Sequence, residues 1–204
     1  MIIKICGITQ LNDAHAVVQA GADALGFMFV KRSARLVAVQ VAGDISLAIA
    51  GQVNRVGVFE DPTADEVQMV LDCVEIDTLQ FHGDEEAAFC EQFNRPYIKY
   101  IGVDQKTDWV QLRNCHRNAE YLLLDTPGGG TGQVFEWDHW PQDFGRPLLL
   151  AGGLNTGNVR EAIIRLQPAG VDVSGGVEGE VKGIKVANKI EQFVKEVRRA
   201  QTAL

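Results

Sequence analysis

Met1-Ile2-Ile3-Lys4-Ile5-Cys6-Gly7-Ile8-Thr9 opens the chain and organises the rest of it. An apolar run carries a cysteine at its end, then a glycine, then a residue able to cap a helix. That order reads as a buried strand, a tight turn and a helix start. Side chains alternate along a strand, so Lys4 and Cys6 share one face and Ile3 and Ile5 the other. The same unit recurs down the chain, with polar residues or glycine at the C-terminal ends of the strands. In a parallel α/β protein that edge carries the chemistry. Cys6 has two readings: a small buried hydrophobe, or a reactive thiol at a strand end.

Working outward, Thr9 is placed to cap a first helix with Leu11, Ala14 and Val18 on one face, and Gly21 to end it. Residues 22–30 form a second strand, interrupted by Gly26, and a basic loop carrying Lys31, Arg32 and Arg35 follows. Residues 39–50 read as a helix and 55–59 as a strand. Thr63 and Glu66 have capping-box spacing, after which Val67, Val70, Leu71 and Val74 recur at helical spacing. A fourth strand, 78–81, ends in His82-Gly83, and Asp84-Glu85-Glu86 suits the N-terminus of the next helix. A fifth strand spans 97–103, with a helix around 108–115. A sixth, 121–124, ends in Asp125 and runs into a Gly-rich loop, 127–132, of a length that functional loops have. Strand 148–151 ends in Gly152-Gly153. Asn155 or Thr156 caps a helix with Val159, Ala162, Ile163 and Leu166 on one face. Strand 171–174 ends in Gly175-Gly176. A last helix carries Ile190, Phe193, Val194 and Val197.

These are eight strand–helix units of roughly 25 residues, with no linker and no break in composition. The pattern predicts one domain over residues 1–204, a closed (β/α)₈ TIM barrel. An open doubly wound sheet would want a Gly-x-Gly-x-x-Gly turn or a P-loop after an early strand, and neither is present.

The net charge of -8 and the absence of a basic stripe argue against nucleic acid or an anionic membrane as a partner. Cys6, Cys73, Cys90 and Cys115 include no Cys-x-x-Cys pair and fit a reducing compartment. There is no signal-peptide pattern and no apolar run long enough for a bilayer, so the expectation is a soluble, cytoplasmic protein. Without a long exposed apolar stretch, it is expected to be a monomer.

Gly152-Gly153 and Ser174-Gly175-Gly176 close the last two strands. In such barrels the loops after strands seven and eight bind phosphate through backbone N–H groups, which glycine lets an anion approach. These residues predict a phosphorylated small-molecule substrate. Asp125 is either a cap on the Gly-rich loop or a carboxyl group at work. Arg35 is either a solvated loop residue or a clamp for a carboxylate. His82 shares a face with Gln80, which aims both at the barrel mouth unless His82 is structural. The histidines have no metal-ligand spacing, and no nucleophile elbow is present. Lys4 and Lys99 are conceivable Schiff-base lysines, but nothing nearby marks them.

Taken together and in order, these stretches identify a resemblance. The chain resembles the phosphoribosylanthranilate isomerases of tryptophan biosynthesis over nearly its whole length. The matching segments are Lys4 to Thr9, Gly21 to Phe27, Ser33 to Arg35, Val56 to Phe59, Gln80 to Gly83, Leu122 to Asp125, Gly129 to Gly132, Leu150 to Leu154, and Val171 to Ser174 with Gly176 to Glu178. The resemblance implies an Amadori rearrangement without metal or cofactor. N-(5-phosphoribosyl)anthranilate becomes 1-(2-carboxyphenylamino)-1-deoxyribulose 5-phosphate. It further implies Cys6 as general base, Asp125 as general acid and Arg35 as holder of the anthranilate carboxylate. The thiolate is expected to be favoured by nearby Lys4 or a helix N-terminus, and the protonated Asp125 by its apolar strand end.

The chain departs from the family pattern at Ala34, where proline is usual, at Gly175, where serine is usual, and at Gly183, where aspartate is usual. The second change removes a hydroxyl from the phosphate site, and the third is expected to loosen the loop after strand eight. Two other readings stay open here. One is a sister barrel isomerase of the histidine pathway, which would be expected to carry a carboxylate in place of Cys6. The other is a barrel that binds a phosphorylated ligand without turning it over.

Overall fold

The computed structural model describes residues 1–128 and 136–204. Eight parallel strands close into a barrel in sequence order: β1 (Ile2–Cys6), β2 (Ala24–Met28), β3 (Asn54–Phe59), β4 (Thr78–Phe81), β5 (Tyr97–Gly102), β6 (Tyr121–Asp125), β7 (Leu148–Leu150) and β8 (Gly170–Val173). The ring closes where β8 pairs with β1, setting Lys4 level with Asp172. Around it lie α1 (Leu11–Ala20), α2 (Val39–Ala48), α3 (Ala64–Cys73), α4 (Ala87–Glu91), α5 (Trp109–Asn114), α6 (Val159–Leu166) and α7 (Ala187–Gln201).

Strand alternation sorts the side chains into two cores. Ile3, Ile5, Leu25, Phe27, Leu122, Leu124, Val171 and Val173 point outward and pack with the helices. Cys6, Ala24, Val56, Val58, Ile98, Leu123, Leu149 and Ala151 point inward and fill the barrel. The inward residues at the C-terminal ends of the strands are the ones left to face solvent and ligand.

The expected eight strand–helix units become eight strands and seven α-helices among the described residues. Among the described residues between β6 and β7 there is one 3-10 turn, Trp137–His139. Pro141, Gly145 and Pro147 disfavour a helix between that turn and β7. Most of the Gly-rich loop, from Gly129 to Gly132, lies outside the described residues.

Several local expectations hold. Thr63 and Glu66 form the capping box of α3, and Gly21 ends α1 with φ 75°. Others need correction. Thr9 does not cap α1; Gln10 holds that position, and the Thr9 hydroxyl donates to the Gly183 carbonyl at 2.7 Å. The inner face of α1 is Asp13, Ala14 and Val17, with Leu11 exposed. Asp13 is drawn inward because its carboxylate accepts the Lys185 N–H at 2.9 Å. Neither Asn155 nor Thr156 is the N-cap of α6, which is Asn158; Asn155 instead closes a turn, its side chain accepting the Gly157 N–H at 2.8 Å. Glu85 does not serve the N-terminus of α4 from outside. It is buried, accepts the N–H groups of Asp61 and Gly83, and pairs with Lys99 Nζ at 2.8 Å.

Candidate active site

The C-terminal mouth of the barrel holds a cleft with two lobes. One, of about 290 Å³, is lined by Cys6, Met28, Arg35, Gln80, His82 and Asp125, among others. The second, of about 460 Å³, is lined by Gly152, Gly153, Asn155, Ser174, Gly175 and Gly176, among others. Arg35, Asp125, Asp172, Ser174 and Lys182 border both. All ten residues singled out in the sequence therefore meet at this cleft, although they come from five strand ends and the loop after β2.

Cys6 ends β1 level with Gly26 of β2. The glycine is what makes room: a Cβ at residue 26 would lie 2.8 Å from Cys6 Sγ and 3.3 Å from Lys4 Nζ. Lys4, one inward position below on β1, is buried and donates to Asp172 Oδ1 at 2.9 Å. Burial disfavours the Lys4 charge, but Asp172 and Cys6 outweigh it and hold the ammonium pKa above its ordinary value. For Cys6 the balance goes the other way. Burial pushes the thiol up more than Lys4 pulls it down, so its pKa lies above the usual cysteine value. The expected downward pull of Lys4 is present but does not prevail.

Asp125 ends β6, buried, and its Oδ1 accepts the Thr126 N–H at 2.6 Å and the Thr126 hydroxyl at 3.1 Å. From β4, Gln80 Nε2 donates to His82 Nδ1 at 3.3 Å, and the His82 ring stacks on Tyr100 with centroids 3.9 Å apart. Burial and the cations Lys4 and Lys99 lower the His82 pKa to about 4, so the ring is neutral near pH 7. Gln80 Oε1 is buried without a hydrogen-bond partner among the described residues. An orphaned acceptor in a binding cleft is costly unless a ligand donor satisfies it.

Arg35 is held rather than solvated. Its Nε and Nη2 donate to the two carboxylate oxygens of Glu178, at 2.7 and 2.9 Å. Glu178 also accepts from Lys185 Nζ at 2.8 Å and from the Gly183 N–H at 3.1 Å. Lys185 in turn reaches the Ser174 carbonyl and hydroxyl, both at 3.2 Å. Gly183 is thus tied through its N–H to Glu178 and through its carbonyl to Thr9. Its φ of 86° is a conformation in which glycine is favoured, so the chain is anchored there and not loosened.

In the other lobe, Gly152 and Gly153 have φ of 82° and 63°. A short 3-10 turn, Gly175–Val177, starts at the end of β8, with Gly175 and Gly176 lining the cleft. A Cβ on Gly176 would lie 1.9 Å from the Leu154 carbonyl oxygen, so only glycine lets the two loops meet. The arrangement is two glycine-bearing loops around a cavity, a type of backbone suited to approach by an oxyanion.

A family model described as N-(5'phosphoribosyl)anthranilate (PRA) isomerase matches residues 3–196. The chain belongs to the N-(5'-phosphoribosyl)anthranilate isomerase family. A relative of that name from Pseudomonas fluorescens (strain Pf0-1) is 48% identical over 199 residues, covering 96% of this chain and 97% of the relative. Another from Azotobacter vinelandii is 46% identical over 201 residues, covering 97% of both chains. The crystal structure of the phosphoribosyl anthranilate isomerase from Thermotoga maritima is similar with a TM-score of 0.88 and 37% identity, covering 98% of this chain and 100% of that one. A further structure of a phosphoribosyl anthranilate isomerase, 36% identical with a TM-score of 0.85 and 98% of this chain covered, is a complex with reduced 1-(o-carboxyphenylamino)-1-deoxyribulose 5-phosphate. The family favours neither alternative, the histidine-pathway barrel or the non-catalytic one.

Sequence reading missed three groups at this site. Glu178 was visible only as part of a matching segment, Lys185 carried no local signal, and Gly26 was legible as an interruption without a reason. The reasons are contacts across the barrel, which no local pattern encodes.

Proposed function

We propose that this protein, as a single barrel domain over residues 1–204, isomerises N-(5'-phosphoribosyl)anthranilate to 1-(2-carboxyphenylamino)-1-deoxyribulose 5-phosphate, with Cys6 as base and Asp125 as acid. The observation that carries the reading is the two-lobed cleft: an acid, a thiol and an arginine in one lobe, and the glycine-bearing ends of β7 and β8 in the other. The phosphate lies against the N–H groups near Gly152, Gly153, Gly175 and Gly176, with Ser174 beside them. The carboxylate takes the donors of Arg35 that Glu178 does not use. Gln80 Oε1 accepts from a donor on the substrate, and neutral His82 packs beside it.

Asp125 gives its proton to the ring oxygen of the ribose, the C1–O bond breaks, and the nitrogen lone pair forms the C=N bond of a Schiff base. That acidifies the proton on C2. The Cys6 thiolate takes it, and the C2 electrons move toward nitrogen to give an enolamine. Tautomerisation to the ketone completes the isomerisation with no atom gained or lost. Each proton transfer of this kind is typically worth on the order of 10²–10⁴ in rate.

The assay is purified protein with freshly prepared phosphoribosylanthranilate, following the loss of substrate fluorescence. A rate no greater than the uncatalysed one would end the reading. The monomeric state is also a proposal, supported by exposed large apolar residues at separate sites such as Leu47 and Val110. Light scattering tests it, since one similar Thermotoga maritima structure is described as derived from a dimeric protein. A cytoplasmic location remains a proposal too. No helix among the described residues is long and apolar enough to cross a membrane.

A further inference from the structure

We infer that Lys4, held in place by Asp172, is a positioning residue whose ammonium group stabilises the Cys6 thiolate. The inference deepens the assignment of Cys6 as base and rests on it for its kinetic arm. Lys4 sits one inward position below Cys6 on β1, almost fully buried, where a lysine is rare unless its charge is paired. Its Nζ is bound to Asp172 Oδ1 at 2.9 Å, which fixes the ammonium inside the barrel on the β8 side. Gly26, on the neighbouring strand, leaves open the space both groups occupy: the same missing Cβ would touch Cys6 Sγ and Lys4 Nζ.

The charges around Cys6 make Lys4 the favourable one from its own strand. Asp172 of β8 opposes the thiolate, and Lys185, ahead of α7, supports it. Arg35, from the loop after β2, is neutralised by Glu178. Across the cleft stand Asp125 and neutral His82. A thiol buried this far is driven toward its protonated form. An opposite charge within about 4–6 Å moves a pKa by roughly one to three units, so a charged Lys4 brings the thiolate within easier reach. Lys4 keeps its proton throughout. The thiol loses its proton to solvent before the substrate enters, and the thiolate then takes the C2 proton.

The test compares wild type with Lys4→Met, and with Lys4→Met/Asp172→Asn, which removes the buried carboxylate that the single change leaves unpaired. Two readouts are taken on protein shown to be folded by circular dichroism and a cooperative melt. One is the pH dependence of Cys6 alkylation by iodoacetamide, followed by mass spectrometry of the peptide containing residue 6, with exposed Cys73 as internal reference. The other is the acid limb of kcat/KM. The expected result is a Cys6 alkylation rate at pH 7 at least tenfold lower in Lys4→Met, with Cys73 unchanged, and an acid limb moved up by about one pH unit or more. In the double variant the drop is smaller, because the carboxylate that opposes the thiolate is gone as well. Unchanged Cys6 alkylation in folded Lys4→Met overturns the inference. If Cys6→Ala retains turnover, the base assignment fails, while the alkylation arm still decides whether Lys4 governs the thiol. If the Lys4 variants do not fold, Gly26→Ala is used, whose Cβ pushes Sγ and Nζ apart. Slower Cys6 alkylation supports the inference there, and an unaltered rate overturns it.

Discussion

Arg35 and Glu178 form a two-point ion pair at the rim of the cleft, joining the loop after β2 to the loop after β8. One carboxylate therefore orients the arginine of the first lobe while anchoring the chain that forms the second. Burial by itself raises the Glu178 pKa, but its bonds from Arg35 and Lys185 outweigh this and bring it to about 2. A carboxyl group whose folded pKa is depressed contributes stability above its unfolded pKa and loses it as pH falls through the folded value. Glu178 thus makes the fold less stable as pH drops from about 4.5 toward about 2. In Glu178→Gln that component disappears: the melting temperature is lower at pH 7, and the gap from wild type narrows on acidification. A gap that stays constant from pH 7 to 3 would contradict the pairing.

Arg35→Lys should lower kcat/KM by about tenfold to a hundredfold, because a point charge replaces a planar fork worth about 1.5–3 kcal/mol per charged contact. The measurement is steady-state kinetics. A change within about twofold for Arg35→Ala, only ~0.4 kcal/mol, would remove the clamp from the account.

Cys6→Ser and Asp125→Asn should each reduce kcat by on the order of 10²–10⁴ while product still binds. With Cys6 as the proposed base, required as thiolate, and burial raising its pKa, wild-type kcat/KM should climb with pH into the alkaline range. Near-wild-type turnover in Cys6→Ala would make His82 the next base to test.

Gly176→Ala should raise KM with little change in kcat. Its Cβ would be forced against the Leu154 carbonyl, displacing the N–H groups proposed to bind phosphate, a contact expected to act alike in ground and transition states. A bulky residue at Gly175, next to Arg35, should do the same. Inorganic phosphate as competitive inhibitor gives a second reading: its inhibition constant should rise in parallel with KM.

Lys99→Met leaves buried Glu85 without its cation. Breaking such a pair costs about 3–5 kcal/mol, and the two N–H donors to Glu85 place this one near ~3 kcal/mol. For a chain of this size that is roughly 6–12 °C in melting temperature, readable by calorimetry. A melting temperature within a degree or two of wild type would show the pair to be weak.

The barrel was legible in the sequence because each strand and helix advertises itself locally. Apolar runs such as Leu122 to Leu124, the helical spacing of Val67, Val70 and Val74, and the Thr63–Glu66 capping box are patterns of near neighbours. So were the strand-end residues, since in a parallel barrel every C-terminal strand end must open on one face. Cys6, Gln80, His82, Asp125 and both glycine pairs came together there for that reason alone. What tertiary structure decided is which groups touch. Lys4 meets Asp172 and Arg35 meets Glu178 only because the last strand and its loop close against the first part of the chain. Those partners lie 168 and 143 residues apart. Such contacts set the charge on Lys4, the depressed pKa of Glu178 and the raised one of Cys6, because burial and neighbouring charge act through space and not along the chain.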